Sequence, residues 1–231
     1  YELSHEAAKA MREIAPYWRG RTLLDKLFES VPAETRRLIF KDDDYYGQKY
    51  IITQTASTRS SLQWVPDYNK VINKGFEAIR QEAEERLKDF DEEDASNSLN
   101  EIPFLKAVIM TCDAMGIFAS RYADLAESMA EKTTDPRRAA ELFRMADALR
   151  QVPMKPARSF YEAVQSHWIF QCFSRLEQRT SSVVSNGRLD QLFYPFYKAD
   201  KEAGKLTDDD ALEILECLWL NIANYINISV S

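Results

Sequence analysis

The chain has 231 residues, 45% of them apolar, so it can bury a core, and its 12 Phe, 11 Tyr and 4 Trp carry rings that need burial. A net charge of −7 excludes a nucleic-acid face, which needs a basic surface, and the acidic residues interleave with Lys and Arg as on solvated helix faces. Cys112, Cys172 and Cys217 form no CxxC pair, which excludes a zinc site or disulfide framework and suits a reducing cytoplasm, and the absence of a run of about 18 apolar residues predicts no membrane span.

In chain order, Ser4 caps a first helix that Pro16 is expected to stop near Ala15. "TLLD", Thr22 to Asp25, reads as a capping box opening a second short helix. Pro32 opens a third, which fades at "KDDDYYGQKY". "YIITQTAS" alternates β-branched residues and predicts a short strand. Asp67 caps a long helix in which Val71, Phe76, Ile79, Ala83 and Leu87 form an approximate apolar face. A very long helix is expected from about Phe104 to Lys132, and Asp135-Pro136 caps the next. "VPMKPAR" reads as a linker. Ser159 and Glu162 form a capping box for "FYEAVQSHWIFQCFSRLEQ". "SSVVS" reads as a buried strand ending in a turn at Asn186-Gly187. Thr207 to Asp210 opens a last helix, its carboxylates placed where the helix dipole favours them, with Leu212, Leu215, Trp219 and Ile222 as its apolar residues. The first residue is not Met and the last stretch is "NYINISVS", so both ends read as cuts through a longer protein.

Chemistry-bearing motifs are sparse. No GxGxxG, P-loop, HExxH, nucleophile elbow or metal-ligand spacing occurs. His5 reads as a surface residue, while His167, beside Trp168 in an apolar helix, is either a packed, hydrogen-bonded residue or a catalytic base. The cysteines have no evident positive neighbour to lower a thiol pKa, so they read as small buried hydrophobes. In "TASTRSSLQWVPDYNKV" the polar residues before Trp64 are either a loop with a helix cap or one wall of a pocket, with Gln63 offering hydrogen bonds but no acid–base chemistry. Arg188 and Asp190 either clamp each other or orient a carboxylate substrate. The run Phe193, Tyr194, Phe196 and Tyr197 around Pro195 reads as packing.

The blocks "IAPYWRGRTL", "VPDYNKVINKGFEAIRQEAEERL", "FLKAVIMTCDAMGIFASRYADLAE", "PARSFYEAVQSHWIFQ", "SNGRLDQLFYPFYKAD" and "GKLTDDDALEILECLWL" follow one another in an order and spacing that resembles the pyruvate formate-lyase-like domain of glycyl radical enzymes. The resemblance spans nearly the whole chain, so residues 1–231 are expected to be an N-terminal portion of that domain. It implies a predominantly helical α/β chain, part of the first half of a ten-stranded α/β barrel wrapped by helices. It also implies a lyase whose glycyl radical is installed elsewhere in the full polypeptide by a radical SAM activating enzyme. Neither the family's Arg-Val-Ser/Ala-Gly-Tyr radical loop nor a loop cysteine of its kind is present, so no catalytic residue is expected in this chain and the portion by itself should be inert. Its expected partners are the rest of the same polypeptide, the activating enzyme, a second copy in a homo-oligomer and small accessory subunits, with no nucleic acid, metal or membrane.

Carried over to this sequence, the resemblance makes Gln63, Ser181, Ser182 and Ser185 substrate-wall candidates and Arg188 and Asp190 the residues that fix the turn. Dehydratase-type members have Gly-His where this chain has Leu62-Gln63, which removes the general base or hydrogen-bonding His expected for eliminating water from a diol. Trp64 and "SSVVSNGRLDQ" resemble the hydrocarbon-activating branch of the benzylsuccinate synthase type, which adds a hydrocarbon to fumarate. The other readings are an arylacetate decarboxylase or dehydratase of the same family, and a non-enzymatic helical scaffold or partner-binding module.

Overall fold

A computed structural model describes residues 4–39, 65–91, 93–94, 96–177 and 184–224. The chain divides into two units, residues 1–60 and 61–231. In the first, α1 (His5–Trp18) starts where Ser4 Oγ accepts from the Ala7 amide at 3.2 Å. It does not stop at Pro16 as expected but runs through it to Trp18. A proline this close to a helix end removes only one backbone bond and leaves little helix beyond to disrupt. α2 (Leu23–Ser30) has the expected reciprocal box: the Thr22 amide donates to Asp25 and the Asp25 amide to Thr22 Oγ1, both at 3.1 Å. α3 (Ala33–Ile39) follows Pro32. The expected strand "YIITQTAS" lies outside the described residues.

The second unit is a helical assembly of α4 (Tyr68–Leu87), α5 (Ile102–Lys132), α6 (Pro136–Gln151), α7 (Phe160–Glu177), α8 (Leu189–Glu202) and α9 (Asp208–Asn224). A turn of π-helix, Asn97–Glu101, leads straight into α5. α5 and α6 pair along a seam of small residues, with Ala123, Ala126 and Ala130 meeting Leu142, Ala146 and Leu149. Alanine in the seam lets the two backbones approach, and Arg150 fastens the rim to Asp124 at 2.5 Å and Glu127 at 2.9 Å. Val71 and Phe76 of α4 pack on Cys112 and Met115 of α5. The last core joins Tyr68 and Ile72 to Phe160, Ala163, Val164, Phe193, Ala211 and Leu218, bringing α7, α8 and α9 onto α4.

Three expectations change here. α4 is broken at Gly75, whose φ of 81° and ψ of 164° lie outside the helix region. The segment "VPMKPAR", expected to be a linker, enters that break. Phe76 N donates to Pro153 O and Glu77 N to Met154 O, both at 2.9 Å, and Ala157 N donates back to Ile72 O at 2.9 Å. Only glycine fits this crossing, since an added Cβ would collide with the Met154 carbonyl and lie 2.7 Å from Lys155 Cα. Second, the stretch Leu99–Lys132 is long and apolar enough by composition to cross a membrane, with a mean hydropathy of 1.6 over 18 residues. Polar residues singly or in pairs interrupt it throughout, so no uninterrupted apolar run marks it in the sequence. It packs on α4, α6 and α7 along one side. Third, the aromatic run around Pro195, read only as packing and assigned no secondary structure in the sequence, forms the body of α8, with Pro195 inside the helix and Phe193 buried.

Predominant helix is thus observed, and the one extended pairing among the described residues is a bridge at Val184.

Candidate functional site

Helix α7 begins where Ser159 Oγ accepts from the Glu162 amide at 3.2 Å. The Glu162 carboxylate does not close the expected box on Ser159. It takes the Arg158 amide at 2.7 Å and the Arg158 guanidinium instead, and an acceptor with this charge gains more from the charged donor. From that start, residues four apart share one face of α7, and His167 and Gln171 fall on it, both fully buried.

Their polar atoms meet the segment that returns from α7 toward α8. The His167 ring nitrogen Nε2 lies 3.0 Å from the Asn186 carbonyl oxygen. A carbonyl only accepts, so the proton is assigned to Nε2 and Nδ1 is bare. Gln171 Nε2 donates to the Val184 carbonyl at 3.4 Å, and its Oε1 accepts from the Tyr68 hydroxyl of α4 at 3.1 Å. Tyr68 stacks on the His167 ring with centroids 4.1 Å apart, and Phe193 of α8 meets the same ring edge-on at 5.6 Å. Burial drives the His167 pKa down to about 4, only partly opposed by its bond to Asn186, so the ring is neutral at physiological pH. Burial also raises the Tyr68 phenol, with Arg175 opposing. Of the two readings left open for His167, the packed and hydrogen-bonded one describes its surroundings.

Gln63, Ser181 and Ser182 lie outside the described residues. Ser185 is exposed, between buried Val184 and half-buried Asn186. Arg188 and Asp190 form a bidentate pair, Nε to Oδ1 at 3.0 Å and Nη2 to Oδ2 at 2.8 Å, at the entrance to α8. Both are exposed, and the Arg188 guanidinium lowers the Asp190 pKa. Gly187 turns the chain just before them with φ of 70°. Tyr68, His167 and Gln171 escape sequence reasoning as a group because they are distant in the chain. The fourfold spacing of His167 and Gln171, which puts both on one face of α7, is the one signal that could have linked two of them.

A second feature is an apolar groove of about 820 Å³ between α8 and α9, lined by Phe160, Phe193, Tyr197, Leu212, Leu215 and Trp219. Ala211 and Leu218 are the buried residues of α9, while Leu212 and Trp219, two of the apolar residues named from the sequence, are 56% and 54% exposed on the groove. Asp208 at the rim is held by Lys201 and by the Tyr197 hydroxyl at 2.6 Å. The cysteines sit in helices α5, α7 and α9. Burial raises the Cys112 thiol and pushes Cys172 up to about 12, which disfavours the thiolate at both. No group of His, Cys, Asp and Glu fit to hold a metal occurs among the described residues.

A family model described as pyruvate formate lyase-like matches residues 1–230. The chain is 47% identical over 230 residues to the isethionate sulfite-lyase of Bilophila wadsworthia, covering 99% of this chain and 28% of that protein. It is 46% identical over 226 residues to the isethionate sulfite-lyase of Desulfovibrio desulfuricans, covering 98% of this chain and 27% of that protein. The crystal structure of hydroxyproline dehydratase from Clostridioides difficile, with trans-4-hydroxy-L-proline bound, superposes with a TM-score of 0.76 at 29% identity, covering 100% of this chain and 28% of that one. The chain thus spans little more than a quarter of the length of these relatives. The expected likeness to fumarate-adding synthases finds no support among them, since their names describe a sulfite-lyase and a dehydratase. The signals behind that expectation, Trp64 and the serine-rich stretch, are a few residues, whereas these matches run over 226 and 230 residues.

Proposed function

The chain belongs to the pyruvate formate lyase-like family of glycyl radical enzymes, and on that premise we propose that the whole protein is a lyase that eliminates sulfite from isethionate. The observation that carries this is the gap in identity: 46% and 47% to two isethionate sulfite-lyases against 29% to the dehydratase structure. The overall reaction balances as 2-hydroxyethanesulfonate giving acetaldehyde and hydrogen sulfite, with the carbon–sulfur bond broken. Leu62-Gln63 fits this reaction better than dehydration. Sulfite leaves as a stabilised anion without protonation, whereas hydroxide leaves only with help from proton transfer or a strong hydrogen bond, so a neutral amide suffices where a diol would need histidine.

The family's radical supplies the hydrogen abstraction that starts such an elimination. This portion would contribute binding and orientation. In the proposal Gln63, Ser181, Ser182 and Ser185 form part of the substrate wall, and the helices wrap the first half of a barrel. The whole protein would work in an anaerobic cytoplasm as a homo-oligomer served by a radical SAM activating enzyme.

The test is to activate the full-length protein without oxygen, add isethionate, and measure sulfite and acetaldehyde. Equal amounts of the two support the proposal. Turnover of trans-4-hydroxy-L-proline or a diol, with none of isethionate, would favour the second reading, a dehydratase, which the superposition on hydroxyproline dehydratase supports.

A further inference from the structure

Two carbonyls of one extended segment, Val184 and Asn186, are held by side chains four residues apart on one helix, Gln171 and His167. The spacings match: four helical residues rise about 6 Å, and two extended residues advance about 6.6 Å. The order is antiparallel, His167 holding the later residue and Gln171 the earlier. Carbonyls of alternate residues point the same way in an extended chain, so the Val184 and Asn186 carbonyls both reach α7, and the side chains alternate as well, Val184 buried, Ser185 exposed and Asn186 half-buried. Slipping by one residue would reverse which side chains are exposed and covered and leave both donors without these acceptors.

We propose that His167, with Gln171 and Tyr68, is a positioning unit that sets the register of the Val184–Gly187 segment and so presents Ser185 on the open face. This rests on the reading of that segment as substrate wall. Each member has a separate task. His167 provides a donor that does not rotate freely, because Tyr68 and Phe193 hold its ring on two sides. Gln171 passes the constraint between elements, accepting from Tyr68 of α4 and donating to Val184. Tyr68 sits at the start of α4, immediately after Asp67 caps that helix, so the segment is registered against two helices at once. Both donors are neutral, which suits a fully buried place where a charge would cost more than the bond returns.

The test uses the activated full-length enzyme with isethionate, normalising kcat/KM to the glycyl radical measured by electron paramagnetic resonance. His167→Phe keeps a stacking ring and loses the donor. His167→Gln loses the ring and keeps a donor at similar reach. The expected result is a fall in kcat/KM per radical of about tenfold or more in His167→Phe, recovering to within about threefold of wild type in His167→Gln. Hydrogen exchange at the amides of residues 184–187 should quicken in His167→Phe only. A merely structural role would lower the amount of radical-bearing enzyme and leave kcat/KM per radical unchanged. Wild-type kcat/KM and wild-type exchange in His167→Phe would overturn the proposal. Should that variant fail to fold, Tyr68→Phe, which removes only the hydroxyl on Gln171, decides it: faster exchange at Val184 supports the unit and unchanged exchange refutes it. If the wild-type enzyme releases no sulfite, the substrate reading fails by itself, and the exchange measurements still settle the positioning.

Discussion

Two irregular segments cross helices in the larger unit, and they are held by different means. Residues 153–157 enter the break in α4 through three main-chain hydrogen bonds, to and from Ile72, Phe76 and Glu77. Residues 184–186 are held on α7 by side chains, a histidine ring and a glutamine amide. A main-chain crossing is indifferent to most side chains and demands one thing only, room for the backbone. A side-chain crossing depends on particular donors, and those donors can be substituted without disturbing the helix that carries them. The first arrangement suits a fixed joint in the scaffold, and the second suits a surface whose register the protein's chemistry depends on.

The sharpest way to break this contrast is at Gly75. Gly75→Ala places a Cβ against the Met154 carbonyl and strains a φ of 81°, so the crossing must move. We expect a loss of about 3 kcal/mol or more, seen as a large drop in melting temperature and soluble yield of the full-length protein. An unchanged melting temperature would show that the main-chain crossing is not rigid.

Gln171→Leu attacks the other crossing. It leaves the buried Tyr68 hydroxyl and the Val184 carbonyl without this partner. The expected cost is about 2 kcal/mol, concentrated in faster hydrogen exchange at residues 184–187 rather than in global unfolding. Equal loss of protection around Gly75 would mean that the two crossings are one cooperative unit.

A smaller effect comes from pH. His167 titrates at about 4 in the folded protein, below the ordinary value of 6.5, so the unfolded chain binds the extra proton first. Stability is therefore complete above about pH 6.5 and declines as pH falls toward 4, with a loss of about 1.5 kcal/mol at pH 5.5. Denaturant melts at pH 7 and 5.5 should show this decline in the wild type and a weaker one in His167→Gln. Phe193 and Tyr68 are the groups packed on the ring, and neither titrates in this range. The smallest effect is expected at Arg188→Ala. Its pair with Asp190 is exposed, so the melting temperature should not measurably change. A clear loss would show that the turn before α8 depends on the pair.

The contrast also separates what could be read in the residues from what could not. Helix starts are local chemistry: Ser4, Thr22 with Asp25, Asp67, Asp135 and Thr207 with Asp210 each satisfy nearby amides in the structure. Family membership was legible too, because ordered blocks along the whole chain carry it. The branch was not, since a few residues around Trp64 and the serine-rich stretch pointed to fumarate addition, whereas the relatives matched along nearly the whole of this chain are named isethionate sulfite-lyases. The break at Gly75 was invisible because glycine in an apolar-periodic helix is compatible with an unbroken one, and its cause lies some 80 residues downstream.

By itself the sequence determined where most of the helices begin and that Arg188 and Asp190 stand two apart beside the Asn186-Gly187 turn. Those features depend on groups within a few residues of one another. Only the tertiary structure decided that α4 opens at Gly75, that Leu212 and Trp219 face a groove rather than the core, and that Ser185 is exposed while Val184 is buried. Each of these depends on a partner distant in the chain: the Met154 carbonyl, the flank of α8, and the donors His167 and Gln171. Local hydrogen bonding is written in neighbouring residues, whereas the choice of face and register is settled only when remote surfaces meet.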